Sequence, residues 1–141
     1  MDSFLDAALV FARAAQVYLL AADCMDAATA ERMAGAYAFF LDGIERALGA
    51  SPFIGGEELT IADIGIVCDV AQFLRERLMQ ARLARNGFSP ISAGLESDYP
   101  AFTAHLRALA ARPVFSDYLA NTIEQTLPAK AALTPRTAWQ T

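Results

Sequence analysis

The side chains able to do chemistry are few. The chain holds two cysteines, Cys24 and Cys68, and a single histidine, His105. The cysteine spacing fits no metal motif, and no cluster of His, Cys and carboxylates accompanies either thiol. Cys68 falls inside an apolar run and reads as a small hydrophobe. Cys24 falls near a helix end, where a thiol is reachable, but no base is placed beside it. His105 has no companion ligand or carboxylate cluster and reads as a surface histidine. No nucleophile–base pair is legible, so the sequence assigns no catalytic residue, metal ligand or cofactor-binding residue to this chain.

Asp63 is the carboxylate with the clearest local role, and that role is architectural. A Gly55-Gly56 turn leads into Leu59-Thr60-Ile61-Ala62-Asp63-Ile64. Thr60 is placed as a helix N-cap, its hydroxyl accepting from the N–H of residue 63. Asp63, three residues on, reaches back to the N–H of Thr60 in a short-armed capping box, and Leu59 and Ile64 are spaced for a hydrophobic staple. Its charge also suits the positive end of the helix dipole. The residues that follow, 61–74, are apolar on nearly every face, the mark of a core helix. Gly65 costs that helix about 1 kcal/mol of propensity, which predicts a neighbouring backbone in close approach.

The other elements follow from periodicity. Residues 3–22 repeat apolar side chains at helical spacing. A turn at 23–26 leads to a second helix over 27–48, capped by Asp26 or Thr29 and ended by Gly49. Its seam is Met33, Tyr37, Phe40, Leu41, Ile44 and Leu48, with Asp42, Glu45 and Arg46 off it. The short turn makes the pair an antiparallel hairpin. The core helix extends to Arg85, its basic second half reading as a solvated face, and Asn86-Gly87 ends it. Pro100 opens a helix with Phe102, Leu106, Leu109 and Ala110 inside. Pro113 opens a last one, closed by Pro128. The expectation is an all-α bundle of five or six helices over residues 1–128, with an irregular tail over 129–141 onto which Trp139 contributes a contact with the body.

Composition narrows the function. Hydrophobic residues are 55% of the 141 and charged residues 19%, which excludes disorder and leaves apolar surface for a partner. The net charge of −5 argues against nucleic-acid or anionic-membrane binding. Residues 4–22 carry Asp6, Arg13 and Gln16, so they read neither as a transmembrane span nor as a signal peptide. A cytoplasmic location is the expectation.

Two stretches carry a family resemblance. Pro52-Phe53-Ile54-Gly55-Gly56 with Leu59-Thr60-Ile61-Ala62-Asp63-Ile64, and Tyr99-Pro100-Ala101-Phe102 with Ala111-Arg112-Pro113-Val114, resemble in order and rough spacing the C-terminal helical domain of glutathione transferases, over about residues 1–125. The resemblance implies an all-helical domain that follows a thioredoxin-like domain holding glutathione. No β-α-β segment is read in this sequence, so glutathione is expected only where a thioredoxin-like domain is supplied. The helical domain would then give the apolar half-site for the electrophile, with Phe11, Ala15 and Tyr18 of the first helix as its candidate residues. The partner is expected to be a second copy, as a homodimer, or a separate thioredoxin-like subunit. The alternative function is a non-catalytic interaction module. The chain alone is expected not to conjugate glutathione.

Overall fold

The computed structural model describes residues 2–127, with side chains from Phe4 onward; the expectations for Pro128, Trp139 and the tail lie outside the described residues. Five helices of eleven residues or more carry the fold: α1 (Asp2–Leu20), α2 (Ala27–Ala50), α3 (Ile61–Phe73), α6 (Pro100–Ala110) and α7 (Pro113–Thr126). Between them lie the short α4 (Gln80–Ala84) and α5 (Leu95–Asp98), with 3₁₀ turns at Ala22–Cys24, Leu74–Met79 and Ile91–Gly94. Among the described residues there is no β-strand, only an isolated antiparallel bridge between Phe53 and Gly56. The fold is all-α.

α1 and α2 pair as a hairpin, α3 packs along α1, and α6 and α7 close against α2 and α3. The inner face of α1 is Ala8, Phe11, Ala15 and Tyr18, spaced by three and four. α2 starts where Asp26 Oδ1 accepts from the Thr29 N–H at 2.7 Å. It runs through Gly49 to Ala50, where Ser51 donates its N–H to the Ala47 carbonyl at 3.1 Å. The expected stop at Gly49 is therefore two residues early. The left-handed backbone that a C-terminal glycine supplies is adopted instead at Gly56 and Gly87. At Gly87 it ends α4: Phe88 donates to the Leu83 carbonyl and Gly87 to that of Ala84, each at 3.0 Å, a Schellman pairing.

Six aromatic rings fill the centre. Phe73, the last residue of α3 and fully buried, lies 5.6 Å from Phe11, 5.8 Å from Tyr18 and 5.5 Å from Tyr37 between ring centroids. Phe11 stacks on Phe40 at 4.7 Å, and Tyr37 meets Tyr99 edge-on at 5.9 Å. Each ring removes enough apolar surface from water to contribute on the order of 2 kcal/mol.

The helix expected over 61–85 does not run through. After Phe73 the chain tightens to a 3₁₀ turn over Leu74–Met79 before α4. The tighter pitch brings Leu74 and Glu76 inside together. There Glu76 meets two backbone amides of a later segment.

Candidate functional site

Two buried carboxylates stand at the two ends of the central rod. At the front, Thr60 is the N-cap of α3 and pairs with Asp63 in the reciprocal arrangement of a capping box. Asp63 is fully buried. Its Oδ2 accepts from the Thr60 N–H at 2.9 Å and from the Thr60 hydroxyl at 3.2 Å, so the hydroxyl turns toward the carboxylate as well as facing the helix end. Asp63 Oδ1 accepts from the buried Ile54 N–H at 2.8 Å, which ties the Phe53–Gly56 turn to the helix. Leu59 is half-buried against the core and Ile64 half-buried on α3.

The same carboxylate has an unexpected neighbour. His105 of α6, 9% exposed, brings Nε2 to 3.1 Å from Asp63 Oδ1. The direction of approach falls short of hydrogen-bond geometry, so this is a close electrostatic contact. The Phe53 ring stands edge-on to the imidazole at 6.1 Å. Burial pushes His105 below its ordinary pKa; Asp63 opposes this, Arg112 adds to it, and the net shift is downward. His105 is therefore a buried imidazole held below its ordinary pKa, not the surface histidine that its isolation suggested. The available signal was its register: it lies three residues after Phe102 and four before Leu109, on the inner face of α6.

At the rear, Glu76 is also fully buried. It accepts from the Ser92 N–H at 2.6 Å and the Ile91 N–H at 3.1 Å. The Tyr18 phenol faces this carboxylate; burial first, then Glu76, holds the phenol well above its ordinary range. Arg77 clamps Glu96 through both guanidinium nitrogens, at 2.8 and 2.9 Å. It also donates to the Ser92 carbonyl and, at 2.8 Å, to that of Thr126. Arg82 pairs with Asp23 at 2.6 Å on the surface. The basic stretch expected to be solvated is thus divided: Arg77 is a structural clamp, and Arg82 is an exposed ion pair.

A third carboxylate works in the same way. Glu45 of α2 accepts from the Ala101 and Phe102 N–H groups, each at 2.8 Å. It caps α6 from another helix, where Tyr99 offers no side-chain cap of its own. Tyr99 instead donates its hydroxyl to Asp42 at 3.0 Å, and burial and that carboxylate push its pKa up to about 12.

The three residues expected to line an apolar half-site are in the core. Phe11 is 1% exposed, Ala15 5% and Tyr18 2%. Two clefts flank the α1–α2 hairpin, and none of the three lines either. One, of about 340 Å³, lies between Phe4 and Ala7 of α1 and Phe39, Gly43 and Arg46 of α2. The other, of about 170 Å³, lies between Arg13 and Val17 of α1 and Arg32 and Met33 of α2.

α3 differs from the expected core helix on one flank. Ile61 is 71% exposed, Cys68 is exposed, and Ile64 and Gly65 are half-covered. A methyl group at Gly65 would meet nothing within 4 Å, so the expected close backbone is not there. Beside this flank, Ile64, Val67 and Cys68 form a narrow apolar crevice with Leu109, Phe115 and Leu119. Burial and then Asp69 raise the Cys68 pKa, which disfavours the nucleophilic thiolate. Among the described residues, no group of His, Cys and carboxylates is arranged to hold a metal ion, and no helix is long and apolar enough to cross a membrane.

The sequence model of one protein family, described as glutathione S-transferase, C-terminal domain, matches residues 27–108, more than half of the chain. The chain belongs to that family. The matched span takes in α2, the Thr60–Asp63 helix start, His105 and the Tyr99-Pro100 opening of α6. It stops short of Arg112-Pro113 and does not include α1. No curated protein and no solved structure gives a significant match. As a glutathione S-transferase C-terminal domain, the chain has an all-helical architecture, and its buried carboxylates Asp63 and Glu76 are committed to backbone amides that hold it.

Proposed function

We propose that this domain is the helical half of a glutathione transferase, working with a thioredoxin-like domain that binds and ionises the thiol. The observation that carries the reading is the open flank of α3. A helix apolar on every face belongs inside a protein, yet Ile61, Gly65 and Cys68 face outward here. Gly65 leaves room for a backbone to come close on that flank. A covering domain would bury it and would wall the neighbouring crevice, giving an electrophile an apolar seat beside the thiolate. Phe11, Ala15 and Tyr18 then set the position of α1 from within the core, and the half-site forms from what the partner covers. A transferase of this kind works in the cytoplasm, where glutathione is abundant and thiols stay reduced.

The test supplies a glutathione-transferase thioredoxin-like domain, fused ahead of the chain or added to it, with glutathione and an aromatic electrophile. The chain alone is expected to give no conjugation. The combination is expected to exceed the thioredoxin-like domain by itself, and Ile61→Glu should remove the gain. Turnover by the purified chain alone, or no gain on combination, overturns the reading. The outward apolar face of α1 favours a second reading, a non-catalytic module whose task is association.

A further inference from the structure

The two clefts beside the α1–α2 hairpin differ in charge. The larger carries one charge of each sign, Asp42 and Arg46, and Asp42 already accepts from the Tyr99 hydroxyl. The smaller, of about 170 Å³, carries two charges of one sign. Arg13 of α1 and Arg32 of α2 line it from the two helices, together with Ala14, Val17, Thr29 and Met33. Both arginines are exposed, and neither forms an ion pair with a described residue. Asp26 is held below its ordinary pKa first by its hydrogen bonds with Thr29 and then, through space, by Arg32. It is spent on capping α2 and takes no hydrogen bond from Arg32. Arg77 and Arg82, by contrast, are each held by a carboxylate.

Two like charges on one groove repel, and an anion between them relieves the repulsion. A guanidinium presents planar, forked donors that match a carboxylate. The rest of the lining decides what else the anion must carry. Met33 is 1% exposed and Ala14 half-buried, so the base of the groove offers carbon, and a methionine adapts its shape to what it meets. A bare inorganic anion would satisfy the arginines and leave that base to water. The volume equals that of about six liquid waters, room for one ring or a short chain. The net charge of −5 repels anions from the protein as a whole, so attraction here must come from the groove itself.

We propose that the groove between α1 and α2 binds a small aryl or short-chain alkyl carboxylate. Arg13 and Arg32 bridge its anionic end, and Ala14, Val17 and Met33 cover its apolar body. The groove shares no residue with the crevice beside α3. The site therefore stands apart from the transferase reading, and a transferase half and a non-catalytic module would both carry it.

Titration of the full chain with benzoate, followed by amide NMR shifts at constant ionic strength, tests the proposal. Far-UV circular dichroism confirms that each variant is folded. Saturating shifts are expected at Ala14, Val17, Thr29 and Met33, with a Kd on the order of 1 mM for so small a ligand. Benzyl alcohol keeps the ring without the charge, and acetate keeps the charge without the ring. Each should bind about tenfold more weakly or worse. Arg13→Met and Arg32→Met keep an apolar stem without the charge, and each should weaken benzoate about tenfold or more. Arg46→Met, in the other cleft, removes the same charge and should leave the affinity unchanged. Absence of saturable shifts in this groove overturns the proposal. So does benzyl alcohol or acetate binding as tightly as benzoate, an affinity indifferent to either Arg13→Met or Arg32→Met, or an equal loss in Arg46→Met.

Discussion

Asp63 and Glu76 are both fully buried, both on the same rod, and both spent on backbone N–H groups. They differ in reach. Asp63 serves an amide three residues away and another nine residues away. Glu76 serves amides fifteen and sixteen residues ahead, and its neighbour Arg77 reaches forty-nine residues ahead to Thr126. The front end of the rod defines where a helix starts. The rear end defines where three other segments sit. A buried carboxylate needs hydrogen bonds in place of its lost water, and both find them on backbone amides outside the helix.

Breaking the rear end should have the larger effect. Glu76→Ala leaves two amides and the Tyr18 phenol without their acceptor, at roughly 1–3 kcal/mol for each buried group left unpaired. We expect a total loss of about 3–5 kcal/mol, read from the urea midpoint, with faster amide exchange at Ile91 and Ser92. A loss under about 1 kcal/mol would show that the segment holds itself.

Asp63→Ala should follow at about 2–4 kcal/mol, because Ile54 is buried while the Thr60 amide can turn to water. Thr60→Ala should cost about 1 kcal/mol, the usual size of a lost N-cap. The double variant should lose less than the sum, since the Thr60 hydroxyl and amide both end on the Asp63 carboxylate. Additive losses would separate the two residues into independent contributions.

Gly65→Ala sharpens the contrast between the covered and open flanks of the rod. The added methyl meets nothing in the isolated chain, so helix propensity should raise stability by about 0.5–1 kcal/mol. In the combination with a thioredoxin-like domain the same methyl should weaken docking. A destabilised isolated chain would mean that this flank is already covered.

The smallest effect is on pH dependence. The His105 pKa is lower in the fold than its unfolded value of about 6.5. Above that value the imidazole is neutral in both states. As pH falls below it, the unfolded chain takes up a proton that the fold resists, so stability declines toward the folded pKa. The melting temperature should therefore drop between neutral pH and the onset of carboxylate titration, and His105→Gln should flatten that part of the curve. A curve unchanged by the substitution would remove His105 from the linkage.

What could be read from the sequence was what is local. The start of α3 needs only Thr60, Asp63 and their spacing, and the inner faces of α1, α2 and α6 need only a period of 3.6. Glu76, Glu45 and His105 were not legible in the same way. Each acts on a partner at least fifteen residues away, and nothing beside Glu76 in the sequence distinguishes it from a solvated helix glutamate. The 3₁₀ turn at Leu74–Met79 was missed as well, since its contacts with Ile91 and Ser92 are not local. The residues named for the half-site lie in the core, because aromatics at helical spacing read alike whether they front a cleft or fill a core. At Phe11 and Tyr18 the core prevailed.

The Arg77 clamp has one further consequence. The guanidinium joins Ser92 and Glu96 in the middle of the chain to Thr126 at the end of α7, while Arg82 and Asn86 are held to Asp23. A backbone cut between Asn86 and Gly87 therefore severs the polymer without severing the body. The two pieces should stay bound and, prepared separately, find each other again, which would let the halves of this domain be made, labelled or exchanged as interlocking parts.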